Sequence, residues 1–268
     1  LGHLRRCRAI AHALVGAHED MSVLILSGSP IIGSFDFRTR VDFVRVPGVI
    51  KLRNGDYTSL SLHMDVEETL ALRASIMRHT AERFAPDLFI VDKEPLGLRG
   101  EVTETLEMLH DRGVPLVLGV RDVMDDPEAL AREWARKNAA PALIDLYDEV
   151  WVYGLPQICR PLEEIGLPDS VHRKTVYTGY LPREVERKPR ATTSDAPMEG
   201  PYILVTAGGG GDGHALVDWV LRAYELDEDM PWPALIVTGP FMPSDAQTEL
   251  FDRAQRLPNV EAITFDPG

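Results

Sequence analysis

Two groups of residues in this chain have types and spacings that could do chemistry. The first is Gly208-Gly209-Gly210-Gly211-Asp212-Gly213-His214, set between the apolar run Tyr202 to Ala207 and a helical pattern with Leu216, Val217, Val220 and Leu221 on its stripe. Glycines accept positive φ and let backbone amides come close to a ligand. The helix start behind them aims the positive end of its dipole at the same point. Strand, glycine turn and helix in that order make a cradle for an anion, most often a phosphate. Thr206, Gly208, Gly209, Gly210, Gly211, Gly213 and His214 are the candidate diphosphate-binding residues; the plainer reading is a flexible turn with no ligand. The second group is dispersed. His3 stands at the start of a helical pattern, and histidine titrates close enough to neutrality to serve as a general base. Asp92 closes an apolar strand, where open α/β sheets keep their ligands, and is the alternative base. Gly2, Arg6, Lys93, Arg121 and Asp122 are the accompanying substrate-binding candidates. Their plainer readings are local: a histidine bonding backbone, a solvated arginine, a loop-capping carboxylate, a lysine that neutralises Asp92.

The glycine run does not read as a dinucleotide site. Gly208, Gly210 and Gly213 fit G-x-G-x-x-G, but a run so rich in glycine fits by chance. The next strand, Ala234 to Gly239, ends at Thr238 and not at the acid that would hold ribose hydroxyls. No Lys-Ser/Thr pair follows the glycines, so a P-loop is excluded too. A nucleotide diphosphate joined to something other than nicotinamide fits better. No metal is expected. Asp125-Asp126 resembles a metal pair, yet Asp126 before Pro127 reads as a helix cap. Asp227-Glu228-Asp229 matches the D-x-D pattern of metal-dependent sugar transferases but sits in an acidic loop before Pro231.

The elements that must position these residues alternate. Apolar strands are expected at 21–27, 41–46, 86–92, 116–120, 148–153, 174–179, 202–207, 234–239 and 260–265. Helices are expected from Gly2 onward and at 66–84 (capped by Asp65), 101–112, 127–138, 156–165 and from His214 onward. Pro47 to Met64, with Gly48 and Asn54-Gly55, reads as a surface loop. Strands alternating with helices call for parallel sheets covered on both faces. Residues 184–200 lack apolar periodicity and form the clearest linker. The reading is an α/β chain of two doubly wound parallel-sheet, Rossmann-like domains, 1–183 and 201–268, with a cleft between them. A strand is expected before Gly2 and several βα units after Gly268.

Composition bounds the rest. The chain has 268 residues, 44% apolar and 26% charged, with a formal net charge of −14. That balance disfavours nucleic acid and an anionic membrane surface, which call for clustered Lys and Arg. No run approaches the roughly 20 apolar residues that span a bilayer. Cys7 and Cys159 have neither metal-ligand spacing nor a disulfide framework, so a reduced cytoplasm is the default.

Gly2-His3-Leu4-Arg5-Arg6 at a helix start, Asp92 to Gly97, Gly119-Val120-Arg121-Asp122, Thr178-Gly179-Tyr180 before the linker and Thr206 to Gly211 after it together resemble GT-B glycosyltransferases, in particular the predicted bacterial transferases related to MurG. The resemblance runs through nearly the whole chain in element order. It implies an acceptor-binding first domain and a second domain that binds a nucleotide-diphosphate sugar. Transfer to an acceptor hydroxyl would then be metal-independent and inverting, with no cofactor beyond the sugar nucleotide as co-substrate. It also implies a first strand and a later donor-gripping segment that this sequence lacks, so the activity expected is that of a longer parent protein. The rival readings are a sugar-nucleotide epimerase or hydrolase on the same fold, and a nucleotide-binding module without catalysis.

Overall fold

The computed structural model describes residues 2–51, 56–124, 126–182, 198, 200–227 and 229–265. The chain divides into two compact units, Gly2–Arg183 and Glu184–Gly268. Of the expected linker, only positions 198 and 200 fall within the described residues.

The first unit opens on α1 (Gly2–Ala17), which buries Leu4, Ala11 and Val15 along one side. β1 (Val23–Ser27) and β2 (Val41–Arg45) follow and pair in parallel. Arg40, at φ 72°, turns its guanidinium under the end of α1. Its Nη1 donates to the carbonyls of His18, Glu19 and Met21 at 2.7–2.8 Å, and its Nη2 to that of Val15 at 2.6 Å. A cation here meets the negative end of the helix dipole as well as its orphan carbonyls.

The stretch expected to be a plain surface loop carries an antiparallel pair instead, β3 (Val49–Lys51) and β4 (Tyr57–Ser59). Short runs rich in Val, Ile, Tyr and Thr pair readily across a turn. Asn54-Gly55, which marked that turn, lies outside the described residues. α2 (Val66–Phe84) starts where expected: the Asp65 carboxylate accepts from the Glu67 amide at 2.7 Å. It buries Leu70, Met77 and Ala81, and also Arg73. That arginine is held by Glu101 through Nε at 2.5 Å and Nη2 at 2.6 Å, and by the Pro47 carbonyl at 2.6 Å.

Next come β5 (Phe89–Asp92), α3 (Thr103–Asp111), β6 (Leu116–Arg121), α4 (Pro127–Arg136), α5 (Ala139–Asp145), β7 (Glu149–Tyr153), α6 (Asp169–Arg173) and β8 (Thr175–Tyr177). The four strands form a parallel sheet in the order β5-β6-β7-β8. β6 is buried from Leu116 through Val120, as a strand covered on both faces must be. Three of the expected helices differ, and α6 was not expected. α3 begins two residues later, because the Glu101 carboxylate reaches back to Arg73. The helix from Pro127 stops at Arg136 and a second begins at Ala139, with Asn138 at φ 51° between them. Residues 156–165 are not a helix; only Glu163–Ile165 make a short 3₁₀ turn, closed by Gly166 at φ 69°. Pro161 falls mid-run, where it removes an amide donor and its ring would clash with the preceding turn.

The second unit contains β9 (Ile203–Thr206), α7 (His214–Leu226), β10 (Ala234–Val237), α8 (Ser244–Ala254) and β11 (Val260–Ile263), parallel in the order β11-β10-β9. Its core gathers Val205, Val217, Leu221, Ile236 and Leu250. The apolar stripe of α7 keeps three of its four expected members: Val217 and Leu221 are buried and Val220 packs against them, Tyr224 joins them, and Leu216 is exposed. Arg253 of α8 ties the two helices, donating to Asp218 at 2.7 Å and to Glu225 at 2.7 and 3.0 Å. Among the described residues, no helix is long and apolar enough to cross a membrane.

Candidate functional site

At the C-terminal edge of the four-stranded sheet, the structure brings together three of the residues singled out in the sequence. Asp92 ends β5 with its side chain 10% exposed. Arg6, one turn into α1, grips it from two directions: Nε donates to Oδ1 at 3.1 Å and Nη2 to Oδ2 at 2.8 Å. A guanidinium that meets both carboxylate oxygens fixes orientation as well as charge. His3 contacts the same carboxylate through Nδ1 and keeps 57% of its side chain exposed. His3 and Asp92, offered by the sequence as alternatives, are therefore a pair. Gly2 is the first residue of the same helix and is exposed.

Burial works against the charged form of Asp92, but the hydrogen bonds from His3 and Arg6 outweigh it and hold the carboxyl below the usual aspartate range. An ionised carboxylate only accepts hydrogen bonds, so the neutral imidazole presents Nδ1–H to it. Arg6 Nη2, 3.0 Å from that nitrogen, cannot then donate to it. The lone pair of the neutral ring is left on Nε2, the arrangement a general base needs.

The backbone around Asp92 is set by its neighbours. Asp92 lies opposite Gly119 in the parallel register. Lys93 turns away at φ 72°, and its amide donates to the Gly119 carbonyl at 2.7 Å. A left-handed lysine at a strand end is a strained feature held by the surrounding fold. The positive charge that meets Asp92 comes from Arg6, whereas the Lys93 ammonium lies 3.9 Å from Glu94.

Two further groups, not singled out in the sequence, surround the carboxylate. Cys7 is partly buried, and desolvation, followed by the charge of Asp92, pushes its thiol up to about 12, so it stays protonated. The Tyr153 phenol occupies the space a Cβ on Gly119 would take, and its hydroxyl has no partner among the described residues. Burial and Asp92 raise its pKa also. The signal for Cys7 was present in the spacing: four residues after His3, it falls on the same helix face.

Arg121 and Asp122 stand at the end of the neighbouring strand. Arg121 is exposed and pairs in register with Tyr153. Asp122 accepts from the Val123 amide at 2.8 Å and bonds Tyr180, so its carboxylate braces the loop.

The glycine loop belongs to the other unit. Gly208 is at φ 59° and Gly210 at φ 91°, conformations that favour glycine. Its glycines divide into two kinds. Gly210 backs onto the next turn, where an added Cβ would meet Gly239 O and Met242 N at 3.1 Å. Gly213 abuts Ala207, and Gly209 abuts the Phe241 ring. Gly208 and Gly211 face open space. The amides split likewise. Gly210 N donates to Ala207 O at 3.0 Å and Gly213 N to Gly210 O at 3.3 Å. Among the described residues no partner is found for the amides of Gly208, Gly209, Gly211 and Asp212. Gly213, the cap of α7, supplies no side chain to the first turn. Thr206 ends β9 in register with Val237 and is exposed. His214 heads α7, its Nε2 4.0 Å from Glu249.

Asp125 lies outside the described residues, and Asp126 caps α4 through the Ala129 amide at 3.0 Å. Glu228 also lies outside them, and Asp227 accepts from the Asp229 amide at 3.0 Å.

No family model matches the chain, and no curated protein does. Solved structures do. A glycosyltransferase from Rickettsia africae aligns over 98% of this chain and 64% of its own, at 11% identity and a TM-score of 0.50. A putative UDP-N-acetylglucosamine 2-epimerase from Listeria monocytogenes aligns over 98% of this chain and 66% of its own, at 8% identity and a TM-score of 0.57. A UDP-glucosyltransferase from Polygonum tinctorium aligns over 97% and 69%, at 11% identity and a TM-score of 0.52. The chain thus spans about two thirds of the length of these proteins. At such identities the likeness is one of fold: the parallel α/β, Rossmann-like architecture of GT-B glycosyltransferases, which the epimerase also matches.

Proposed function

We propose that the chain is part of a glycosyltransferase that moves a sugar from a nucleotide-diphosphate sugar to an acceptor hydroxyl. The observation that carries the reading is the Asp92 carboxylate holding both His3 and Arg6 at the C-terminal edge of a parallel sheet. On this reading the acceptor hydroxyl attacks the anomeric carbon while the bond from that carbon to the diphosphate breaks. The hydroxyl proton passes to His3 Nε2. Asp92 keeps the ring in the required tautomer and offsets the charge that the ring gains. Because Arg6 already meets the Asp92 charge, orientation is the larger part of what Asp92 supplies.

The leaving diphosphate would be met by the amides of Gly208, Gly209, Gly211 and Asp212 and by the uncapped first turn of α7. Thr206 and His214 flank that position. Gly210 and Gly213, whose amides are bonded within the loop, shape it. Transfer would be inverting and would use no metal.

The test is turnover by the full-length parent with nucleotide sugars and a hydroxyl acceptor panel. His3→Ala and Asp92→Asn should each lower kcat by about 10²–10⁴-fold, the range for a positioned base. The double variant should lose little more than His3→Ala, since the two act as a unit. Wild-type rates in both single variants would overturn the assignment. The likeness to a putative sugar-nucleotide 2-epimerase favours a second reading on the same fold. Nucleotide sugar consumed in the absence of any acceptor would establish that reading in place of transfer.

A further inference from the structure

Three donors hold Asp92, and one place on it is left open. A carboxylate offers about four acceptor positions. Arg6 Nε takes one on Oδ1, while Arg6 Nη2 and His3 Nδ1 take two on Oδ2. The fourth, on Oδ1, has no donor among the described residues.

The fold brings an unused donor to the same place. Asp92, Gly119 and Trp151 lie in one row across β5, β6 and β7, so they share a face of the sheet. Tyr153, two residues beyond Trp151, is on that face too. Its phenol leans across β6 into the space that Gly119 leaves by lacking a Cβ. The hydroxyl thus stands on the strand next to Asp92, and after burial it is the Asp92 charge that raises its pKa most. Tyr153 is 5% exposed, and its hydroxyl has no partner among the described residues. An unpaired buried donor destabilises a fold, and phenylalanine would fill the same space without one. Hydrogen bonds that serve a reaction are often open in the ligand-free molecule and close only when the ligand is in place.

We propose that Tyr153 is a positioning residue: its hydroxyl holds Asp92 against His3 when Arg6 turns from the carboxylate to an anionic group of the substrate. This rests on the transfer reading above, in which the substrate carries phosphate. The Arg6 fork suits phosphate as well as carboxylate. Its Nη1 has no partner among the described residues and lies beside Gly2 at the exposed start of α1, 3.7 Å from where a Cβ on Gly2 would stand. Once Arg6 turns, the Asp92 charge faces His3 with no guanidinium to offset it, and the imidazole becomes a stronger base. Tyr153, a neutral donor, keeps the carboxylate in place without cancelling that charge. Cys7, which also feels Asp92, stays protonated, and the Lys93 ammonium lies 3.9 Å from Glu94.

The exchange is tested on the chain itself, with no substrate, by urea unfolding. Arg6→Lys supplies the release, since an ammonium meets the carboxylate as a point charge and frees a second acceptor position. In that background Tyr153→Phe should raise the unfolding constant about tenfold, through loss of a hydrogen bond to a charged group. In the wild-type chain it should leave the constant unchanged or lower it, and the difference between the two backgrounds is the coupling. Arg6→Met, which has no donor, repeats the comparison and should give the same sign as Arg6→Lys. Equal effects of Tyr153→Phe in all three backgrounds would overturn the proposal. In the full-length parent, with the nucleotide sugars and acceptor panel above, Tyr153→Phe should lower kcat about tenfold with KM unchanged and Tm not reduced. Unchanged kcat in a parent that transfers sugar would overturn the positioning role. A parent inactive in every form, with the coupling present in the chain, would overturn the transfer reading and leave the exchange standing.

Discussion

The contribution of Asp92 to stability can be worked out from its contacts. Asp92→Asn removes the charge that accepts two hydrogen bonds from Arg6, at 3.1 and 2.8 Å, and the contact from His3. Hydrogen bonds to a charged group contribute about 1.5–3 kcal/mol each, and breaking one side of a buried pair can cost about 3–5 kcal/mol. Two effects reduce that here. Asparagine retains one acceptor oxygen, and the burial penalty on the carboxylate disappears with its charge. Arg6, 17% exposed, also regains some water. The expected loss is about 2 kcal/mol at pH 7, or about 4–8 °C in Tm for a unit of this size. The sign of the pH dependence follows from the depressed pKa of Asp92. Its stabilisation is fully present above the unfolded-state value near 3.9 and is lost as pH falls through the folded value. The gap between wild type and variant should therefore narrow between pH 7 and about pH 2.5. Urea unfolding followed by tryptophan emission is a suitable assay, because Trp134 is buried in the first unit while Trp219 and Trp232 of the second are exposed and change little. A difference under about 0.5 kcal/mol at pH 7, or one that does not narrow in acid, would refute the reasoning.

Other substitutions separate roles that look alike in the sequence. Gly210→Ala should cost about 3 kcal/mol, since it adds a Cβ at φ 91° against the neighbouring turn, while Gly211→Ala, facing open space, should cost under about 0.5 kcal/mol; thermal unfolding compares them. Tyr147→Phe should lose about 1 kcal/mol, because its hydroxyl donates to the Pro95 carbonyl at 2.5 Å. Tyr153→Phe should be neutral or stabilising by up to about 1 kcal/mol, as it deletes a buried hydroxyl with no partner among the described residues. Arg253→Ala should loosen α7 against α8 by about 1 kcal/mol, an effect that high salt reduces, read as faster amide exchange along both helices.

What could be read in advance was whatever local chemistry decides. α2 carries its own start signal in Asp65, and that carboxylate makes the capping bond. β6 announces itself as an unbroken apolar run, and the structure buries it. The hairpin at 49–59 was hidden because its glycines and polar residues outweighed two very short β-forming runs. The missing helix at 156–165 shows Pro161 prevailing over an apolar spacing. In α7 the sequence included Leu216 in a stripe that otherwise holds, because Leu216 and Val217 are equally apolar and only the sheet beneath decides which is buried. At the candidate site, the residue types were legible and their partnership was not. His3 and Asp92 are 89 positions apart, and only the fold, which brings the start of α1 to the end of β5, joins them. The glycine run was read as one feature, whereas Gly210 serves loop packing and Gly211 faces outward. Composition cannot distinguish a residue that lacks a side chain for a neighbour's sake from one that lacks it for a ligand's.

The Arg40 clamp has a mechanical consequence. α1 has 16 residues, so about 24 Å of rigid rod separates the end held by Arg40 from the end that carries His3. Over that lever arm, a tilt of about 3° at the clamp swings the imidazole by more than 1 Å, a displacement that can cost a positioned base about 100-fold in rate. On the transfer reading, a substitution at position 40, far from the reacting atoms, would reach catalysis as an aiming error, tempered by the buried side of α1 and by the second pin that Arg6 drives into Asp92.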